Sequence, residues 1–381
     1  DELFSVIEKN CRVPNLVLGD IRAIFGTHIL GIKRFHEFLN DYYLSDINDL
    51  SNAIINLSQK HILNKIQNLK NGIYTYELEI DGYIDKLTLK VKIIIESNEI
   101  NIDYTGTSSE VENVAINCVY NTTYASSIYP FKCALAPTIP NNEGLFKNIN
   151  VTAPLGCVLN TTFPHPVQAR AKVTNNINQL LFGALQEVFD VYSQAGSGSI
   201  WPFSFFGNTK KHGNFSTHML PHGGRGAMKN IDGMNPIAFP HNSTVTPIEI
   251  MEQRAPILIV EKRLIPDSCG AGKHRGGLGQ SIIIKNIGED VIKARIRPDK
   301  IYCAPQGING GKVGKVGKVI INGNELSTFP IFDFSPNDVI ELYLPGGGGQ
   351  GNPELRDIIA ITRDIEHGYC TQNYSMKEYN V

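Results

Sequence analysis

Residues Leu264–Gln280 read LIPDSCGAGKHRGGLGQ, with five glycines between two strand-like runs, ILIVEKRL (257–264) and SIIIKNI (281–287). A backbone that turns tightly or passes close to another chain or a ligand needs glycine, because a Cβ clashes there or where φ is positive. Two similar stretches follow, QGINGGKVGKVGK from Gln306 and LPGGGGQG from Leu344. Around them the pattern is strands and turns: VIKARIR (291–297), KVIINGNEL (318–326) and DVIELYL (338–344). The C-terminal half therefore reads as a β-rich unit threaded by glycine loops, with a short helical or extended tail after Pro353.

Towards the N-terminus the period changes. Leu18, Ile21, Phe25, Ile29, Ile32, Phe35 and Leu39 recur at helical spacing. A second helix, about 46–69, carries Ile47, Leu50, Ile54, Leu57, Ile62, Ile66 and Leu69, with Ser45 as N-cap and Asn71-Gly72 as its stop. The two are expected to form a hairpin. After Gly72 the period is two: Tyr74, Tyr76, Leu78 and Ile80 alternate with Ile73, Thr75, Glu77 and Glu79. Asp81-Gly82 turns into LTLKVKIII, and INIDYTG follows as the third strand of a meander. Helix is expected in part of 111–135 and over 175–189. Residues 193–247 show little periodicity and contain His212, His218, His222 and His241, with His165 upstream. A long irregular stretch in a compact protein is functional or tied down by its neighbours. The expected class is α+β: a helical segment 1–72, a mixed α+β unit 73–256, a β-rich unit 257–352 and a tail 353–381.

Composition narrows the function classes. A chain of 381 residues is long enough for two packed units. With 35 basic and 37 acidic residues the net charge is -2, which recommends neither nucleic acid nor a membrane surface as partner. No run of about 18 apolar residues suggests a membrane span. Seven cysteines in no paired framework suit reduced thiols in a cytoplasmic protein. The chain begins at Asp1 without a targeting segment, as though already inside a protein, so an upstream segment is expected.

Familiar chemistry is weakly signalled. His218 and His222 are four apart, but Pro221 lies between them and glycines follow, so they do not share a helix face as zinc or manganese ligands would. Gly272-Lys273 is followed by His274, which breaks a Walker A loop. Gly270-x-Gly272 lacks the third glycine and following helix of a Rossmann turn. The lysines of GKVGKVGK could bind anions or simply be solvated. Cys269, beside Lys273, His274 and Arg275, is either an activated thiol or a buried structural one. Asp267 and Arg275 could pair to order their loop.

Five ordered motifs give a stronger signal: RVPNLVLGDIRA (12–23), IDYTGTS (102–108), IPNNEGLFKNINVTAPLGCVLN (139–160), RLIPDSCGAGKHRGGLGQ (263–280) and LPGGGGQGNP (344–353). In content and order they resemble the hydantoinase B/oxoprolinase family, entering its pattern about a third of the way in. Segments 164–172 (PHPVQARAK) and 222–256 look more like its hydantoinase and carboxylase branch than 5-oxoprolinase. The resemblance implies a B-type catalytic subunit of an ATP-dependent cyclic amide hydrolase, acting on hydantoin or 5-oxoproline-like rings in a hetero-oligomer. An A-type partner would bind and cleave ATP. A divalent metal, zinc or manganese, would have its ligands in the upstream segment, leaving none in this chain. The alternatives are an acetone- or acetophenone-type carboxylase α fragment, and a noncatalytic assembly subunit. Polar residues in motif loops are the site candidates for a small-molecule substrate: Asp20, Arg22, His165, Arg170, His222, Arg225, Asp267 and Arg275. Arg225 is placed to fork onto a carboxylate or phosphate.

Overall fold

The computed structural model describes every residue except Asp1, Arg12 and Ile84, and the side chain of Val191. The first motif therefore begins outside the described residues. Helices α1 (Glu2–Asn10), α2 (Pro14–Asp41) and α3 (Asn48–Ile66) lead into β1 (Gly72–Asp81), β2 (Lys86–Ile95) and β3 (Ile100–Asp103). Helix α4 (Tyr120–Leu135) carries the chain to β4 (Ile149–Thr152), which closes a four-stranded sheet of order β1-β2-β3-β4, parallel only at its last pair. Helices α5 (Ala171–Ala184) and α6 (Gln186–Phe189) pack behind it, and Val173, Ile177, Leu180 and Leu181 join the isoleucines of β2 and β3 in the first core.

Next come β5 (Phe203–Thr209), β6 (Gly213–Met219), α7 (Ile248–Arg254), β7 (Ile257–Leu264), β8 (Gln280–Asn286) and β9 (Ile292–Ile296). Strands β10 (Lys318–Ile321), β11 (Asn324–Glu325), β12 (Phe332–Phe334) and β13 (Val339–Tyr343) follow, then α8 (Ile358–Glu366) and α9 (Gln372–Tyr379). They form two further sheets, β11-β10-β13-β8-β7 and β12-β9-β5-β6. These enclose a second core of Trp201, Phe203, Phe205, Ile282, Ile284, Phe334 and Ile340. The architecture is α+β, as expected, but the two cores divide between Phe189 and Trp201 rather than at 256. Residues 203–219, expected to be irregular and assigned to the mixed unit, form β5 and β6; β5 pairs with β9 and carries β6 into the C-terminal sheet, because alternating Phe203 and Phe205 fill that core.

The N-terminal hairpin does not form. Helix α2 buries only Leu18, and its predicted apolar face (Phe25, Ile29, Ile32) is exposed. Helix α3 instead packs Ile62 and Ile66 into the first core. Its start is served by Asp46, whose carboxylate accepts from Asn48 N–H, and not by Ser45. By length and mean hydropathy, 1.2, α2 is a helix that could cross a membrane, which the sequence reading did not anticipate; a single such helix near an N-terminus is weak evidence for a span.

The glycine-rich stretches pack backbone to backbone. Segments 194–199, 222–228, 268–280 and 345–350 run together through the interior, and 305–315 lies along their outer side, with Gly311 and Gly314 against 345–350 and Asn309, Lys312, Val313 and Lys315 exposed. Successive amides of 345–350 donate to three different chains: Gly347 to Gly277 O (2.8 Å), Gly348 to Gly196 O (2.8 Å) and Gly349 to Lys312 O (2.9 Å). The carbonyls of the same three residues accept from Gly270, Ala227 and Ile308. A strand in a sheet bonds only to its two sides. An extended chain with about three residues per turn turns its groups in three directions, and a bundle of such chains bonds all round. The close approach excludes side chains: a Cβ on Gly276 would lie 1.9 Å from Gly347 O.

The C-terminal tail is fastened to this lattice by buried charge. Arg356 forks onto Asp232 with two bonds of 2.8 Å and also bonds Asp364, which pairs with Arg275 at 3.0 Å. Asp267 does not pair with Arg275. Its carboxylate accepts from Thr371 N–H (2.6 Å) and the Thr371 hydroxyl, at the start of α9.

The same substitution should have opposite effects in the two environments. Gly276→Ala is expected to cost about 3 kcal/mol or more, because backbone must move. Gly31→Ala on α2, where a Cβ meets nothing within 4 Å, should be neutral or stabilise the helix by up to about 1 kcal/mol. Urea midpoints check this; equal shifts would contradict the lattice.

Candidate functional site

Where the two cores meet, residues 297–303 run between them. Asp81, at the end of β1, accepts from Ile301 N–H (2.5 Å) and Cys303 N–H (2.7 Å). Trp201 Nε1 donates to Asp299 O at 2.8 Å. The buried Lys300 amine donates to Asn176 and Gln179 on α5. Burial pushes the Lys300 pKa down, while Asp299 and Asp81 oppose that shift.

Beside this clasp lies a cavity of about 280 Å³. Its polar groups include Gln168, Lys172, Asn175, His241, Arg297 and Asp299, and its apolar walls include Ile200, Pro202 and Leu220. Lys172 and Asn175 are three apart on α5 and so share a face. Lys172 Nζ donates to Pro298 O (2.9 Å) and stands 5.0 Å over the Tyr83 ring, leaving further N–H bonds free. Arg297 donates from Nη2 to Gln168 Oε1 (3.0 Å), while its Nε is buried without a partner. His241 Nε2 lies 2.8 Å from Asn175 Oδ1 at the partly exposed mouth. Desolvation holds the His241 pKa below its ordinary value, so the ring is neutral at pH 7, with Nδ1 free to accept if Nε2 holds the proton.

Asp299 is the unusual member. It is 2% exposed, and neither carboxylate oxygen has a hydrogen-bond partner. A buried carboxylate left unbonded is costly, and such groups concentrate where a ligand or a proton is handled.

The eight sequence candidates do not converge, and none of them lines this cavity. Asp20 and Arg22 sit on exposed α2, where Arg22 stacks 5.5 Å over Phe4. His165 is held by Thr162 O at 3.0 Å and by Glu110. The Thr162 amide and Thr161 hydroxyl hold the Glu110 pKa down at about 2. Arg170 is exposed and bonds Val167 O. Arg225 donates to Gln194 Oε1 (2.6 Å) and lies 5.7 Å over Phe239, beside a smaller hollow that both Gln194 and Phe239 line. Asp267 and Arg275 serve the tail. His222 is sealed in, with both ring nitrogens unpartnered. The motif PHPVQARAK did contain the right segment, but Gln168 and Lys172 face the cavity rather than His165 and Arg170. Asp299 and Arg297 were missed; the run RIRPDK, charged and next to a proline after a strand, was their only signal.

The sequence matches the hydantoinase B/oxoprolinase family over residues 1–353. The chain belongs to this family. It is 31% identical to an uncharacterised protein of Methanocaldococcus jannaschii and 28% identical to a Pseudomonas protein named as the B component of a D-/L-hydantoinase. Each match covers 100% of this chain and 67% of the relative. The fold is that of the ATP-dependent caprolactamase of Pseudomonas jessenii, with a TM-score of 0.89 at 19% identity over 100% of this chain and 69% of the other. Acetone carboxylase shares it more distantly, with a TM-score of 0.73 at 17% identity over 85% of this chain and 51% of that one.

Relatives in this hydantoinase B/oxoprolinase family carry the names of components of larger enzymes, the hydantoinase of Pseudomonas and the caprolactamase of Pseudomonas jessenii among them. Among the described residues no three His, Cys, Asp or Glu side chains converge as a metal site. One imidazole and one carboxylate at the cavity do not make a zinc or manganese site by themselves.

His222 gives a pH signature. Desolvation lowers its pKa from 6.5 to about 4. The unfolded chain therefore binds the proton first, and the stability held above pH 6.5 is lost as pH falls towards 4. His222→Leu, which removes two unbonded polar atoms, should flatten that part of the curve of urea midpoint against pH. An unchanged slope would contradict a neutral buried imidazole.

Proposed function

We propose that this chain is the hydrolytic B-type component of an ATP-dependent cyclic amide hydrolase of the hydantoinase type, and that the ring binds in the cavity between α5 and residues 297–299. The observation that carries this reading is the buried, unbonded Asp299 carboxylate on the wall of a mixed apolar and polar cavity. The apolar side, Ile200, Pro202 and Leu220, suits the methylene or imide face of a small ring. Lys172 has spare donors for the amide oxygen as negative charge develops on it. Asp299, or neutral His241 through Nδ1, accepts one proton of the attacking water and returns it to the leaving nitrogen as the amide C–N bond breaks; the new carboxyl group then gives up the water's second proton, leaving a carboxylate and, for a hydantoin-like ring, a ureido nitrogen.

Unstrained cyclic amides are poor electrophiles. Activation by ATP would take place on an A-type partner, a division supported by relatives named as components of larger enzymes. The hydantoinase relative, at 28% identity, favours a hydantoin-like ring over other lactams. The carboxylase reading is favoured by one observation, the fold shared with acetone carboxylase.

Asp299→Asn, assembled with its A-type partner, should lower ATP-dependent ring opening by about 10²- to 10³-fold in kcat, with KM within threefold and native mass unchanged. Full turnover of that variant would exclude Asp299 from the chemistry. Acetone with bicarbonate, offered to the same complex, separates the readings: ATP-dependent acetoacetate formation without hydantoin opening would favour the carboxylase.

A further inference from the structure

A second cleft, of about 220 Å³, opens on the outer face of the sheet β12-β9-β5-β6 and shares Gln168, Pro202 and Arg297 with the first cavity. Alternation along β9 turns Ile292, Ala294 and Ile296 inward and Lys293 and Arg295 outward. Arg297 continues the ladder, donating its N–H to Pro202 O. Three cations therefore follow one another on one face. Lys293 is matched by Asp333, directly opposite on β12. Arg295 and Arg297 have no carboxylate partner among the described residues, and both line the cleft. Burial, and then the neighbouring Arg295, push the Arg297 pKa below its ordinary value.

Opposite Arg295 on β5 stands Ser204, and Ser216 on β6 completes the wall. Neither hydroxyl has an intramolecular partner among the described residues. Arg295 and Arg297, two apart on one face of the strand, hold like charges side by side, and such charges repel unless something offsets them. The cleft thus offers two guanidinium groups from one strand and two free hydroxyls from the next two. A planar carboxylate would leave part of that donor set unmet. A tetrahedral dianion would meet it.

We propose that this cleft, built by Arg295, Arg297, Ser204 and Ser216, is a binding site for a phosphoryl group. The group is either inorganic phosphate or the phosphate of a small molecule whose body reaches the adjoining cavity past Arg297. The site is a matter of binding and stands whether or not Asp299 is the hydrolytic group.

Calorimetric titration of the whole chain with inorganic phosphate, at ionic strength held constant with sodium chloride, tests it. Saturable binding is expected, weakened at least tenfold in Arg295→Gln and measurably in Ser204→Ala. Lys293→Gln, the same charge change on the same strand outside the cleft, should alter affinity less than threefold. Phenyl phosphate distinguishes the sources: tighter binding than inorganic phosphate, still lost in Arg295→Gln, assigns a phosphorylated small molecule, and equal affinity assigns free phosphate. Absence of saturable binding to the wild-type chain would overturn the proposal. So would acetate binding as tightly as phosphate, or equal weakening by Lys293→Gln and Arg295→Gln. Should Arg295→Gln not fold, Ser204→Ala carries the test, and undiminished phosphate binding by it would overturn the assignment.

Discussion

The backbone hydrogen bonding of residues 346–349 in three directions is the constraint on which the C-terminal unit depends. Gly347 both donates to and accepts from 268–280, Gly349 does the same with 305–315, and Gly348 donates to 194–199 and accepts from 222–228, so five glycine-rich segments are pinned together. Each amide and carbonyl is satisfied in the interior, where an unpaired one would be costly. The bundle then sets its surroundings. Residues 196–198 lead out to Ile200 and Trp201, and 221–224 lead back from Leu220, so two walls of the cavity are placed by the lattice. Its outer side is locked by Arg356, Asp232, Asp364 and Arg275, and the β-strands on either side inherit their register from where the glycine segments end.

The cavity lies against that fixed frame, and its chemistry comes from the clasp beside it. Asp81 reaches across from the first sheet to hold the amides of 301–303, which orients Asp299 inward. The arrangement keeps a carboxylate buried without a partner. Its charge offsets the buried Lys300 amine, but no hydrogen bond holds its oxygens, which leaves them available for the proton transfer proposed above. Arg297 stands between the cavity and the cationic cleft and lines both, so one strand extension shapes the two.

Much of the fold was legible in the sequence because it rests on local periodicity. The meander after Gly72, the helix through Ile177 and Leu180 and the C-terminal strands all follow from patterning of apolar residues. What periodicity does not carry is the identity of the partner. It marks an apolar face on α2 but not what meets it, and that face is exposed rather than paired with α3. Glycine-rich stretches look alike whether they turn at a surface or pack in a bundle, and only the third dimension separates the two. The site was harder still. Charged residues inside motifs, such as Asp267 and Arg275, proved to anchor the tail, while the cavity took Lys172 and Asn175 from one face of α5 and Asp299 from beyond a strand end. An unbonded carboxylate is a tertiary property, invisible until its surroundings are known. The family resemblance was legible because motif order survives when individual roles do not show.

The most direct measurement is native-state amide exchange of the lattice. The N–H groups of Gly347, Gly348 and Gly349, in a stretch without helix or ladder, should exchange as slowly as those of the interior strand β8, through global opening only. Exchange at the rate of exposed loops would contradict the claim that this backbone bundle holds the molecule together.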